Sequence, residues 1–411
     1  MKRLAAYFAG AALLAGMLAA PAWSGAEPDY QQVHDGRYQA ILGDCMGCHT
    51  QPGGRAFAGG AALETGFGAI FAPNITPDAA TGIGGWSEEQ FRRAVKQGVS
   101  PGGKRLYPAM PYPSYAKMSD EDVANLYAYM QSVEPVQRRS TPSRLRFPYN
   151  IRALMIVWNW LYFQPGPRKP DASKTAEWNR GADIVIGPGH CGTCHTPKTF
   201  LGADTSAALT GASLDGWFAP DITANARRGV GGWSVAELVA YLKTGHNSHS
   251  MASGPMAEAI SYSTSKMDDS DLKAIAVYLK DVPASSAAAG SALAADDPHM
   301  RAGAEIYQDN CAACHGMDGK GENAIFPPLA GNPIVGQTSA ETLARVVLAG
   351  TQSADTKGAP TQPAMPSFAW RLNDSQLADV LSYVRGNWGG GGPVSAGTVA
   401  QLRRDLRPNR R

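Results

Sequence analysis

A mainly α-helical chain of three small tandem domains is what this sequence predicts, and three observations predict it. The pattern Cys-x-x-Cys-His occurs three times, as Cys45-Met46-Gly47-Cys48-His49, Cys191-Gly192-Thr193-Cys194-His195 and Cys311-Ala312-Ala313-Cys314-His315. These copies use all six cysteines of the 411 residues. Each copy follows a helix-like stretch and precedes a second one with capping signals and an apolar stripe. Two of the copies also sit in a duplicated segment.

The spacing of the motif has a chemical reason. Two thiols one helical turn apart each add across one vinyl group of a haem, and the next histidine lies under the iron. A zinc half-site or a redox dithiol is the alternative for a bare Cys-x-x-Cys. Zinc needs a second ligand pair near each motif, and no cysteine is left to supply one. A redox dithiol needs no following histidine three times over. The reading is three covalently bound haems c, attached at Cys45, Cys48, Cys191, Cys194, Cys311 and Cys314, with His49, His195 and His315 on the irons.

Taken in order, the chain opens with an export-like segment at residues 1–22. Lys2 and Arg3 precede an apolar run from Leu4 to Ala20, and Ala20-Pro21-Ala22 is a small-x-small cleavage site. Ser24-Gly25-Ala26 is a second cleavage option, and an uncleaved anchor is the alternative. Export agrees with haem attachment outside the inner membrane. The first domain is expected over 28–136, the second over 175–283 and the third over 298–388. Phe71-Ala72-Pro73-Asn74-Ile75-Thr76 recurs as Phe218-Ala219-Pro220-Asp221-Ile222-Thr223, and Gly82-Ile83-Gly84-Gly85-Trp86-Ser87 as Gly229-Val230-Gly231-Gly232-Trp233-Ser234, both at an offset of 147. The third domain lacks both stretches and is a divergent cousin. The glycine pairs are read as turns.

In each domain the leading helix carries a glycine, Gly36, Gly181 or Gly303, which lets another helix approach closely. The closing helix begins at Ser119, Asp268 or Asn373 and carries an apolar stripe, for example Leu126, Tyr127 and Met130 in the first domain. A leading helix crossing a closing helix beside a haem is the arrangement of class I cytochrome c domains, expected here three times. A linker over 137–174 holds an apolar aromatic run at 154–163, too short to span a membrane. Interdomain packing, a partner subunit and a membrane interface are its three readings. A second linker, 284–297, is Ala/Ser-rich and flexible in character. A Gly-rich basic tail covers 389–411, with a short helix expected from Thr398 to Leu406.

The opposite face of each iron needs a ligand, and methionine there raises the potential and suits electron transfer. In the third domain only Met317 and Met365 follow His315, and Met317 is too near the histidine to reach across. Met365 lies in Gln362-Pro363-Ala364-Met365-Pro366. Met110 repeats this pattern as Pro108-Ala109-Met110-Pro111. Met118 and Met267 precede closing helices and read as core. Met256 is preferred to Met251, because His49 to Met110 and His195 to Met256 both span 61 residues, against 50 from His315 to Met365. His246 and His249 read as polar loop residues. The six axial ligands are then His49/Met110, His195/Met256 and His315/Met365.

No hydrolytic triad or phosphate loop is present in the pattern. Net charge is +2 and 18% of residues are charged, so charge alone gives no strong signal for a nucleic-acid or a membrane-surface partner. The motif set, with Asn74-Ile75-Thr76-Pro77, Gly84-Gly85-Trp86-Ser87, Tyr107-Pro108-Ala109-Met110-Pro111-Tyr112 and Gly254-Pro255-Met256-Ala257-Glu258, resembles the triple-haem cytochrome c subunit of membrane-bound periplasmic dehydrogenases. The resemblance runs over nearly the whole mature chain. It implies a non-catalytic subunit at the outer face of the inner membrane. Such a subunit passes electrons from a catalytic subunit carrying PQQ, FAD or molybdenum to ubiquinone or another respiratory acceptor. A free periplasmic carrier feeding a terminal oxidase, and a haem enzyme such as a peroxidase, are the alternatives.

Overall fold

The computed structural model describes residues 29–214, 216–286, 290–322 and 324–406. The expected signal peptide at 1–22 lies outside the described residues. The fold is mainly helical and has the three expected modules. In each, the leading helix (Tyr30–Leu42, Ala176–Ile186, Pro298–Asn310) crosses the closing helix (Asp120–Ser132, Asp269–Asp281, Asp374–Val384). The glycine on each leading helix marks the crossing. A methyl group on Gly36 would lie 1.8 Å from the Asn125 carbonyl oxygen, on Gly181 2.0 Å from that of Ala274, and on Gly303 2.3 Å from that of Asp379. Any side chain there collides with backbone, so only glycine permits this approach.

A middle helix completes each module: Glu88–Gln97, Val235–Thr244 and Glu341–Ala349. The repeated Gly-Gly-Trp-Ser stretch does more than turn the chain. Ser87 and Ser234 are the N-caps, each closing a reciprocal capping box with Gln90 or Glu237. The apolar stripes of the helices then meet in one core per module. Met118, Met267 and Leu372 are all buried, as their shared position before the closing helix implies.

Short hairpins add to the helices in the duplicated modules. Ala62–Thr65 pairs with Gly68–Phe71, and Arg144–Leu145 from the linker adds a third strand. In the second module Ala212–Leu214 pairs with Trp217–Ala219. Here the third module takes the linker's place. The Thr342 hydroxyl receives the Phe218 amide at 2.8 Å and donates to the Phe218 carbonyl at 3.0 Å. Gln337 also reaches back, donating to the Arg228 carbonyl at 2.6 Å.

The linker run forms a helix, Leu154–Tyr162. One face packs between the first two modules: Trp158 is buried with Tyr112 and Ala203, and its indole donates to the Leu201 carbonyl at 3.0 Å. The tail is no loose appendage. Helix Ala396–Asp405 buries Val399 and Leu402 in the third module's core, and Arg403 grips Asp374 at 2.6 Å.

Asp268 differs from the other two closing-helix caps. Its side chain makes no cap bond, and its amide instead donates to the Tyr38 hydroxyl of the first module at 3.1 Å. Tyr38 donates in turn to Asp271 at 2.8 Å, and Arg180 pairs with the same carboxylate at 2.7 Å. Burial pushes the Asp271 carboxyl up, but the Arg180 and Tyr38 bonds outweigh it and hold it below its ordinary 3.8. The stabilisation is therefore complete above that value and disappears as pH falls through the lowered one. Asp271→Asn is expected to cost roughly 1–2 kcal/mol at neutral pH, and the difference from the parent protein should vanish in acid. Thermal melts at both pH values check this.

Candidate haem centres

One connected, mostly apolar cavity of about 1660 Å³ runs through the molecule. All six motif cysteines line it, together with His49, His195, His315, Met110, Met256 and Met365. Its size gives room for three ligands of a few hundred Å³ each, within the range of cofactor pockets. The residues fit the group that the motifs require.

Each motif folds as a short turn of helix: Cys45–His49, Gly192–His195 and Ala312–His315. That turn puts the second cysteine and the histidine beside the first cysteine. Each histidine ring is then fixed by a proline carbonyl. His49 Nδ1 donates to Pro73 O at 2.7 Å, His195 Nδ1 to Pro220 O at 2.7 Å, and His315 Nδ1 to Pro327 O at 2.9 Å. A carbonyl only accepts, so the proton sits on Nδ1 and Nε2 keeps its lone pair for a metal. Burial lowers the proton affinity of all three rings, and the proline carbonyls only partly oppose it. Neutral imidazole is the form an iron ligand needs. Burial also pushes the thiols of Cys45, Cys48 and Cys191 up to about 12.

The proline acceptors were not singled out from the sequence. Their signal was present in the duplicated Phe-Ala-Pro stretches, whose third residue is Pro73 or Pro220. In the third module Pro327 follows Phe326, only 12 residues after the histidine, so the loop is shorter. Asn74, next to Pro73, clamps this loop by donating to the Val136 carbonyl at 2.7 Å after the closing helix. In the second module Asp221 takes that place and receives the Ser285 hydroxyl.

Both Met251 and Met256 line the cavity. The local frames separate them. In the first module the Leu106 amide closes onto Gly98 O at 2.8 Å, and Met110 follows four residues later. In the second, the Ala252 amide closes onto Gly245 O at 2.7 Å, and Met256 follows four residues later. Met251 pairs with His246 as Arg105 pairs with Val99, so it matches an arginine. His249 lies flat on Trp233, centroids 5.3 Å apart, and bonds Glu237 at 3.0 Å. Neither His246 nor His249 lines the large cavity. His190 does, wedged at the seam between Tyr115 and the Gly43 carbonyl. Among the described residues no group of three or more His, Cys, Asp and Glu side chains gathers as a metal cage, so zinc has no second pair of ligands. Cys48 and Cys194 lie within electrostatic range of each other, which brings the first two motifs close together.

Comparison with known proteins agrees with this geometry. The family model described as Cytochrome c matches residues 33–134 and 300–388. The chain is 39% identical to the gluconate 2-dehydrogenase cytochrome c subunit of Pantoea cypripedii, over 96% of this chain and 94% of that one. It is 39% identical to the cytochrome c subunit of the quinone alcohol dehydrogenase of Gluconobacter oxydans (strain 621H), over 92% and 83%. It is 38% identical to the fructose dehydrogenase cytochrome subunit of Gluconobacter japonicus, over 90% and 82%. Three covalent haems c, the helical fold and a non-catalytic role in electron transfer follow together. This chain belongs to the family of three-haem cytochrome c subunits of dehydrogenase complexes.

Proposed function

We propose that the chain relays electrons from a catalytic dehydrogenase subunit through three His/Met haems to ubiquinone or another respiratory acceptor, in the periplasm at the outer face of the inner membrane. The observation that carries this is the single cavity lined by all three attachment motifs, with Met110, Met256 and Met365 among the methionines of its wall. When bound, haem supplies one-electron redox chemistry. The chain's residues do the rest. His49, His195 and His315 are oriented by proline carbonyls and would hold the irons together with Met110, Met256 and Met365, and the apolar walls exclude water. A methionine held by each haem would favour transfer over peroxidase chemistry. The acceptor, the export signal at 1–22 and the modules at 28–136, 175–283 and 298–388 belong to the same reading. So does a partner carrying PQQ, FAD or molybdenum.

The test is purification of the chain from membranes with whatever accompanies it. A bound dehydrogenase subunit whose substrate reduces all three haems is the expected result. A partner-free chain with peroxidase turnover would overturn the proposal.

A further inference from the structure

The linker helix Leu154–Tyr162 is apolar apart from Asn159, which accepts the Tyr112 hydroxyl, yet only one side is covered. Met155, Trp158 and Tyr162, at positions i, i+3 and i+7, pack with Tyr112 and Ala203 in the seam between modules. The opposite side stays open. Ile156 is more than half exposed and Trp160 is 82% exposed, while Val157 and Leu161, each about half exposed, turn partly to the haem cavity. Phe147 and Ile151 lead into the helix and are also exposed. Phe200, 86% exposed and at the cavity's edge, stands near it, because its neighbour Leu201 accepts the Trp158 indole. A soluble surface rarely leaves so many large apolar side chains together.

The charge around this face is one-sided. From 135 to 170 the chain has six arginines and one lysine and no aspartate or glutamate. Arg152 and Arg168 are used inward, on the Arg105 carbonyl and on Asp183. Arg139 and Arg146 are exposed and, among the described residues, form no ion pair. Exposed aromatic and aliphatic side chains in a segment whose unpaired charges are all positive match a surface that is apolar beneath and negative at its rim. Nine helical residues are far too few to cross a bilayer. They suffice to lie in its interface, with apolar side chains dipping beneath the headgroups.

We propose that this face, centred on Ile156 and Trp160 and preceded in the same basic segment by Arg139 and Arg146, seats the protein on an anionic lipid bilayer. The proposal rests on the reading that the chain works at a membrane, and it names the surface that does so. Apolar burial supplies the salt-independent part of the binding. The arginines supply a part that depends on anionic lipid and falls with salt.

The test uses the full-length holoprotein and sedimentation with vesicles, either phosphatidylcholine alone or phosphatidylcholine mixed with phosphatidylglycerol. Binding is expected to be strong on the mixed vesicles, weak on the neutral ones and reduced by salt. The double variant Ile156→Ser, Trp160→Ser should lose about tenfold or more on the mixed vesicles. Arg139→Gln with Arg146→Gln should lose about tenfold there and remove most of the salt dependence. None of the four residues lines the cavity, so haem content and spectra should match the parent protein. Equal binding by parent and variants, or none by the parent, would overturn the proposal. So would variants that bind vesicles normally but shed the catalytic subunit, because the face would then be a protein interface. Substrate-driven haem reduction is read in the same samples. Intact reduction without vesicle binding removes this proposal alone. Binding without reduction removes the relay and leaves this face standing.

Discussion

Replacing Cys191 and Cys194 together by alanine is expected to yield a chain with two covalent haems and no folded second module. The magnitude follows from packing. A haem fills roughly 500 Å³ of apolar space. Leaving such a space empty costs about 24 cal/mol per Å³, so of order 10 kcal/mol. That is comparable to the whole stability of a domain. The helices around it have no spare core, since Ile184, Trp233, Leu238, Met267, Ile275 and Leu279 already form the wall that the cofactor completes. The damage also spreads. Leu42 of the first module belongs to the same buried cluster, and Thr342 of the third completes the second module's hairpin. Haem quantification should fall from three to two, and limited proteolysis should cut within 175–283. A variant with two haems and a protease-resistant second module would show that this core closes without its cofactor.

What was legible in the sequence is what covalent chemistry or backbone contact imposes. Cys-x-x-Cys-His is legible because two thioethers and one iron bond demand that spacing. Gly36, Gly181 and Gly303 are legible because a carbonyl of the crossing helix occupies the space of a side chain. Other features left weaker traces. Strands such as Ala212–Leu214 are too short to show an alternation. The proline carbonyls are backbone atoms, and no side-chain pattern reveals which carbonyl a ring nitrogen will find. The capping roles of Ser87 and Ser234 were masked by the glycine pairs before them, which read as turns. The tail helix was readable as a helix, but its place came from tertiary contacts of Val399, Leu402 and Arg403. Asp268 has the composition of a cap, yet Tyr38 and Arg180 drew this corner into an interface.

Met256→Leu is expected to remove the near-infrared methionine–iron band of the second haem and to lower its potential by roughly 200 mV or more, given the span over which axial ligands tune haem iron. Met251→Leu should leave both unchanged, although it also faces the cavity. The distinction rests on backbone register. Gly98 and Gly245 both end their helices in the left-handed region, at φ 63° and 86°, and each accepts one closing amide that sets where the chain re-enters the cavity wall. Counting four residues from that amide gives Met110 in one module and Met256 in the other. Met251 stands where the first module has Arg105, before the closing bond. The functional cost follows from the same shift. For a one-electron couple every 59 mV is a tenfold change in equilibrium, so 200 mV moves the occupancy of the second haem by about three powers of ten. The second module touches both of its neighbours, through Tyr38 on one side and Thr342 on the other. A relay that runs through the second module would feel this shift directly. Redox titration of each variant, followed by the rate of substrate-driven reduction, measures both effects. Loss of the band with Met251→Leu alone would reverse the ligand assignment and leave the fold argument untouched.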